Sequence, residues 1–165
     1  MSVAFRRDSD EEHPEPKFER PIPAGPNLVT PRGLVLIEGE IAELERKLAA
    51  AKDEATFSAI KRDLRYWQTR EITAEVQSIP TGRKVEFGVK VRALINGKLR
   101  TLSIVGDDEA DPTSGLISFK APLSKAMLGA QAGETLPFGA AVDAIEILEI
   151  GVGTDGFGVR PAWRA

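Results

Sequence analysis

Residues 31–77 read PRGLVLIEGEIAELERKLAAAKDEATFSAIKRDLRYWQTREITAEVQ, and two apolar seams run through them. The first is Leu34, Ile37, Ile41, Leu44 and Leu48, in steps of 3, 4, 3 and 4. That is the a/d spacing of a helix packed lengthwise against another helix. The second is Phe57, Ile60, Leu64 and Trp67, in steps of 3, 4 and 3, running on less regularly to Ala74. Thr30 and Pro31 mark the start, because a threonine hydroxyl caps a helix and proline lacks only an N–H that the first turn leaves unpaired anyway. Gly33 and Gly39 weaken this helix slightly. A polar break, Ala51 to Thr56, separates two seams of similar length. The pattern predicts an antiparallel helical hairpin, a short coiled coil, over 30–79. One continuous helix through residue 77 is the alternative, since no residue of the break forbids helix. The first helix, near 21 residues, would be ~31 Å long, and such a pair must lean on something at its base.

Working downstream, Val85, Phe87, Val89, Val91, Ala93 and Ile95 fall at every second position and line one face of a strand. Asn96-Gly97 is the strongest two-residue hairpin signal. A turn there pairs Ile95 with Lys98, Val91 with Leu102 and Val89 with Ile104, so the apolar faces coincide. An acidic turn follows at 106–111, then a short strand at 116–119. Pro122 opens a short helix that Gly129 ends, and a mostly apolar strand at 142–150 closes the unit in an interior position. Residues 80–150 therefore read as an antiparallel sheet with one short helix on a face, and the whole chain as α+β.

The flanks differ in composition. Residues 1–29 carry Pro14, Pro16, Pro21, Pro23 and Pro26 with the acidic run Asp8, Asp10, Glu11 and Glu12, and read as a disordered or draped tail. His13, the one histidine, falls there and is expected to be solvated. Residues 151–165 read as a flexible glycine-rich tail. The chain has 165 residues, 22 basic against 25 acidic side chains, a net charge of -3 and no cysteine. Cysteine chemistry is excluded, a histidine-cluster metal site is improbable, and the charge balance argues against binding nucleic acid through a strongly basic surface. No apolar run approaches the ~18 residues of a membrane span, and the N-terminus lacks the apolar stretch of a secretory signal.

Several short motifs, in order, resemble the C-terminal domain of the bacterial GreA/GreB transcript cleavage factors. They are Ile104-Val105-Gly106, Glu109-Ala110-Asp111, Gly115-Leu116-Ile117-Ser118, Pro122-Leu123 with Ala126-Met127-Leu128-Gly129, and Gly133-Glu134. Thr30-Pro31-Arg32-Gly33 is similar to the family's Thr-x-x-Gly opening, and Ala74-Glu75-Val76 to its hairpin exit. The resemblance covers roughly residues 30–150. It implies an antiparallel coiled coil on an FKBP-like domain. It further implies docking at the secondary channel of RNA polymerase, on the rim near the β′ coiled coil, with the coil projecting inward. The family's coil tip bears acidic residues that help hold the polymerase's second Mg²⁺, an ion that prefers carboxylate oxygen and can activate water for attack on phosphate. This chain lacks that tip segment and has a shorter hairpin, so the resemblance carries docking further than it carries cleavage. Short-coil relatives, the nucleoside diphosphate kinase regulators, share the two-part plan.

Asp53 and Glu54 are the tip carboxylates. They are candidates to assist Mg²⁺, weighed against Asp53 capping the second helix and Glu54 complementing its dipole. Ala121, Pro122 and Leu123 are docking candidates by similarity to the family's loop, weighed against Pro122 simply starting a helix. Asp108, Glu109 and Asp111 read as a surface turn whose acidity aids docking on a basic rim. Their spelling with Ala110, the helicase box, carries nothing without a phosphate-binding loop. Tyr66 and Trp67 with Lys61, Arg62, Arg65 and Arg70 could form a nucleic-acid face, weighed against Trp67 packing in the core or at the hairpin base and the basic residues forming a solvated face interspersed with Asp63 and Glu71. The expected protein is no enzyme itself. It would act on RNA polymerase from the cytoplasm, nucleoid-associated through the polymerase, as a monomer, away from membranes. It would have no cofactor beyond Mg²⁺ shared with the polymerase, and at most indirect contact with nascent RNA. Two other classes stay open: a peptidyl-prolyl isomerase or chaperone on the FKBP-like domain, and a plain coiled-coil adaptor.

Overall fold

The computed structural model describes residues 19–152. Helix α1 spans Pro31–Ala50 and α2 spans Glu54–Ile72, and they fold back on each other as an antiparallel pair. The break falls at Ala51–Asp53, so the continuous-helix alternative is not adopted. Both starts are capped as the residues dictate. The Thr30 hydroxyl accepts from the Gly33 N–H at 2.9 Å, and the Asp53 carboxylate from the Thr56 N–H at 2.9 Å. Ile37, Leu44, Tyr66 and Trp67 are buried between and beneath the helices, with Leu34, Ile41, Ile60 and Leu64 packed against them. This is the predicted seam without its tip-end members Leu48 and Phe57, joined by Tyr66 at its base.

Two short strands that no periodicity announces, β1 (Leu28–Val29) and β2 (Glu75–Val76), pair in parallel where the chain enters and leaves the hairpin. Beyond them lies a five-stranded sheet in the order β5-β4-β3-β7-β6. Its strands are β3 (Val89–Ile95), β4 (Lys98–Val105), β5 (Leu116–Ser118), β6 (Thr135–Phe138) and β7 (Ala141–Val152). The β3–β4 register matches the reading, with Ile95 opposite Lys98 and Val91 opposite Leu102. Asn96 and Gly97 take positive φ of 50° and 78° in the turn. Helix α3 (Pro122–Met127) contributes Met127 to a core of Val89, Val91, Ala93, Ile104, Ile145 and Ile147.

Three expectations change. The sheet is mixed rather than antiparallel, because β5 runs parallel to β4. The intervening segment detours to the hairpin base and re-enters in its original direction, held by reciprocal bonds between Asp111 and Leu116. Val85 and Phe87 alternate correctly but precede the strand. Val85 instead bonds to Gly129 and Ala130, and Gly88, at φ +89°, turns the chain into β3. Strand β6 went unread because it is short and interrupted by Pro137. As for the flanks, residues 19–29 lie against the hairpin and the globular domain, the draped form of the tail, and β7 runs through Gly151 and Val152. Residues 1–18, including His13, and 153–165 lie outside the described residues.

Candidate functional site

The acidic segment after β4 turns inward, beneath the finger formed by α1 and α2. Asp108 accepts from Arg70 Nε at 2.5 Å and from the Tyr66 hydroxyl. Glu109 accepts from the Thr30 hydroxyl and lies 3.6 Å from Arg32 Nη1. Thr30 thus uses one hydroxyl twice, as acceptor for its own helix cap and as donor to the globular domain. Asp107 accepts from Ser118 Oγ and from Lys120 Nζ, both at 2.7 Å, and sits 3.8 Å from Arg70 Nη2. Arg70 is only 1% exposed, and the Asp108 and Glu109 side chains 6% and 3%. A guanidinium so deeply buried persists only when its charge and its N–H groups are matched. The carboxylates supply the charge, and Asn27 Oδ1 takes a further bond from Nη2 at 2.5 Å. Asn27 Nδ2 returns bonds to the Arg70 carbonyl at 2.8 Å and the Thr73 hydroxyl at 3.1 Å. Burial, reinforced by the bond to Asp108, pushes the Tyr66 phenol from 10.0 up to about 12.

This buried joint corrects the reading of Asp108 and Glu109 as docking residues. Their carboxylates face the finger base and cannot present themselves to a partner. Asp111 does stay on the surface. It accepts from Thr113 Oγ1 at 2.6 Å and Ser114 Oγ at 2.7 Å, bonds that hold its carboxyl below the ordinary range. Pro122 is exposed, while Ala121 and Leu123 are half-buried. Leu123 packs on the core and, with Pro112, Ile95, Leu102 and Ile117, lines a cleft of about 400 Å³ edged by Lys98 and Arg100. Among the described residues, no aromatic side chain lines that cleft. At the other end, Asp53 is occupied as a cap, and the same bond holds its carboxyl below its usual value. Glu54 is exposed, 3.5 Å from the Ser58 hydroxyl. A 20-residue α1 places this tip ~30 Å from the joint, so the tip candidates and the docking candidates do not converge.

The family model for the C-terminal domain of the transcription elongation factors GreA/GreB matches residues 80–151. Residues 80–151 are thus a domain of the GreA/GreB C-terminal type. Transcription elongation factor GreA of Helicobacter pylori strain Shi470 is 36% identical over 96 residues, covering 52% of this chain and 58% of the relative. That of Caulobacter vibrioides is 35% identical over 118 residues, covering 69% of this chain and 62% of the relative. The chain thus spans about 60% of the length of these curated relatives. Among solved structures, GreA factor homolog 1 of Thermus thermophilus superposes with a TM-score of 0.35 at 17% identity, over 76% of this chain and 99% of that one.

The residues that seat the finger read from the sequence in other roles, Thr30 as a cap and Asp108 and Glu109 as docking residues, and Asn27 was not read at all. Arg70 read as one of four solvated cations. The available signal was position: it lies three residues past Trp67 and four before Ala74, beside the buried seam. The family opening Thr30-x-x-Gly33 also acquires a physical cause. A Cβ at Gly33 would sit 3.0 Å from Glu109 Oε1 and 3.3 Å from Thr30 Oγ1.

Proposed function

We propose that this chain is a Gre-type regulator of transcription. Its globular domain docks on RNA polymerase at the rim of the secondary channel and aims the two-helix finger inward. The observation that carries the reading is the buried joint: Arg70, Asp108, Thr30 and Glu109 seat a helical finger of ~30 Å on a GreA/GreB domain. Asp111, Pro122 and the cleft beside Leu123 form the docking face. The tip works by occupying space near the polymerase's active centre. Asp53 is committed to its helix and Glu54 is left as a single exposed carboxylate beside the Ser58 hydroxyl, a poor substitute for a metal-assisting pair. The chain carries no cofactor of its own in this reading, and any Mg²⁺ it meets belongs to the polymerase.

Capture of core polymerase by the full chain, followed by stalled elongation complexes, tests both parts. Slowed nucleotide addition without 3′-end shortening, unchanged in Asp53→Asn, supports obstruction. Shortening that Asp53→Asn or Glu54→Gln abolishes would make the chain a cleavage factor. Failure to bind polymerase would remove the reading altogether. The cleft's mixed aliphatic and basic lining gives no support to a prolyl isomerase, and turnover of a prolyl peptide separates that class directly.

A further inference from the structure

A second connection, outside the stretch that resembles the family, links the finger to the globular domain. Residues 19–27 run back along α2 from the joint toward the tip. Asn27 sits at Arg70 and Thr73, and five residues nearer the tip Glu19 accepts from Arg65 Nε at 3.2 Å. Between them the Arg20 guanidinium lies 3.9 Å from the centre of the Tyr66 ring and 5.2 Å from that of Trp67. On the other side the Ala24 carbonyl accepts from Lys120 Nζ at 2.5 Å. Lys120 is anchored in turn to Asp107 and directly precedes Ala121. Gly25, at φ +86°, turns the segment against the Lys120 side chain. Pro21, Pro23 and Pro26 restrict the free segment, so that less conformational entropy is lost on seating it.

We propose that residues 19–27 are a strap whose seating sets the angle of the finger on the globular domain. The physical reason is leverage. The buried joint grips the finger at its base, where a tilt of about 10° would move a tip ~30 Å away by about 5 Å. The strap grips it at Arg65 and Tyr66, about 7 Å farther along the helix from Arg70, and ties that point to Lys120. Two separated attachments resist tilting where one does not. The proposal rests on contacts within this chain and is independent of what the finger enters.

The chain has no cysteine, so a spin-label pair can be placed cleanly with Ala55→Cys at the exposed tip and Leu99→Cys on the exposed sheet surface. Inter-label distances are then measured by pulsed electron resonance on the full-length pair variant. The full chain and one lacking residues 1–18 are expected to give the same narrow distribution. Removing residues 1–26 is expected to broaden it by about 5 Å or shift its centre by as much, with helical circular dichroism retained. The double variant Arg20→Ala/Arg65→Ala removes the strap's grip on the finger without touching a residue of the joint and is expected to broaden it in the same direction. It decides the matter if the truncated chain does not fold. An unchanged distribution in the double variant, or in a folded chain lacking 1–26, overturns the proposal, as does a distribution already broad in the full chain.

Discussion

Tyr66 is the only tyrosine, so its ionisation can be followed without interference. Burial and the bond to Asp108 raise its folded pKa from 10.0 to about 12. A group whose folded pKa lies above its unfolded value contributes stability that is complete below the unfolded value and lost as pH rises through the folded one. Phenolate absorbance should therefore show a midpoint near 12, with thermal stability declining between about pH 10 and 12. In Tyr66→Phe that decline should disappear, and a midpoint near 10 in the native protein would contradict the buried geometry. Two glycines of one helix make a second contrast. Gly39 is exposed with nothing within 4 Å of an added Cβ, so Gly39→Ala should stabilise by about 0.5–1 kcal/mol in denaturant titration. Gly33→Ala should destabilise, because the new methyl presses on Glu109 and Thr30 in a closed joint.

The finger is an element whose shape follows local rules. Its seams, its caps and its polar break were all legible, because each depends on neighbours within one or two turns. Asp53 illustrates the point, since the cap bond that it makes is one that aspartate and asparagine make equally well. Asp53→Asn should keep the helical content and thermal midpoint of the native chain, and Asp53→Ala should lower both. The carboxyl is held below its usual value by the Thr56 N–H, so the charged cap's contribution is present above the ordinary aspartate pKa and lost as pH falls through the lowered one. A melting series in acid should show Asp53→Asn insensitive to that loss. The mixed sheet was less legible. The Asn96-Gly97 hairpin is local, but the parallel pairing of β5 is set by where the intervening segment has to go.

The buried Arg70 network fastens the base of the finger to the globular domain. Arg70→Met should cost about 3–5 kcal/mol, because Asp108 is left charged and without its partner beneath the finger. Arg70→Lys should recover little, since an ammonium cannot reach Asp108 and Asn27 with the same planar fork. Chemical denaturation checks both, and a Met variant as stable as the parent would show that the network is dispensable. The candidate site was half-readable for the same reason. Asp111 and Pro122 lie on the surface, whereas Asp108 and Glu109, which look no different in a row of letters, are buried. Only their partners, 38 and 79 residues away in the chain, distinguish them.

Periodicity, caps and turn residues, all short-range effects along the backbone, were enough to specify a folded-back helical pair followed by a hairpin-led sheet unit. Which charged side chains face water, how β5 enters the sheet and where residues 19–27 lie were settled only when distant segments came together. The cause is that the cost of burying a charge depends on what meets it in space, and linear order does not encode that meeting.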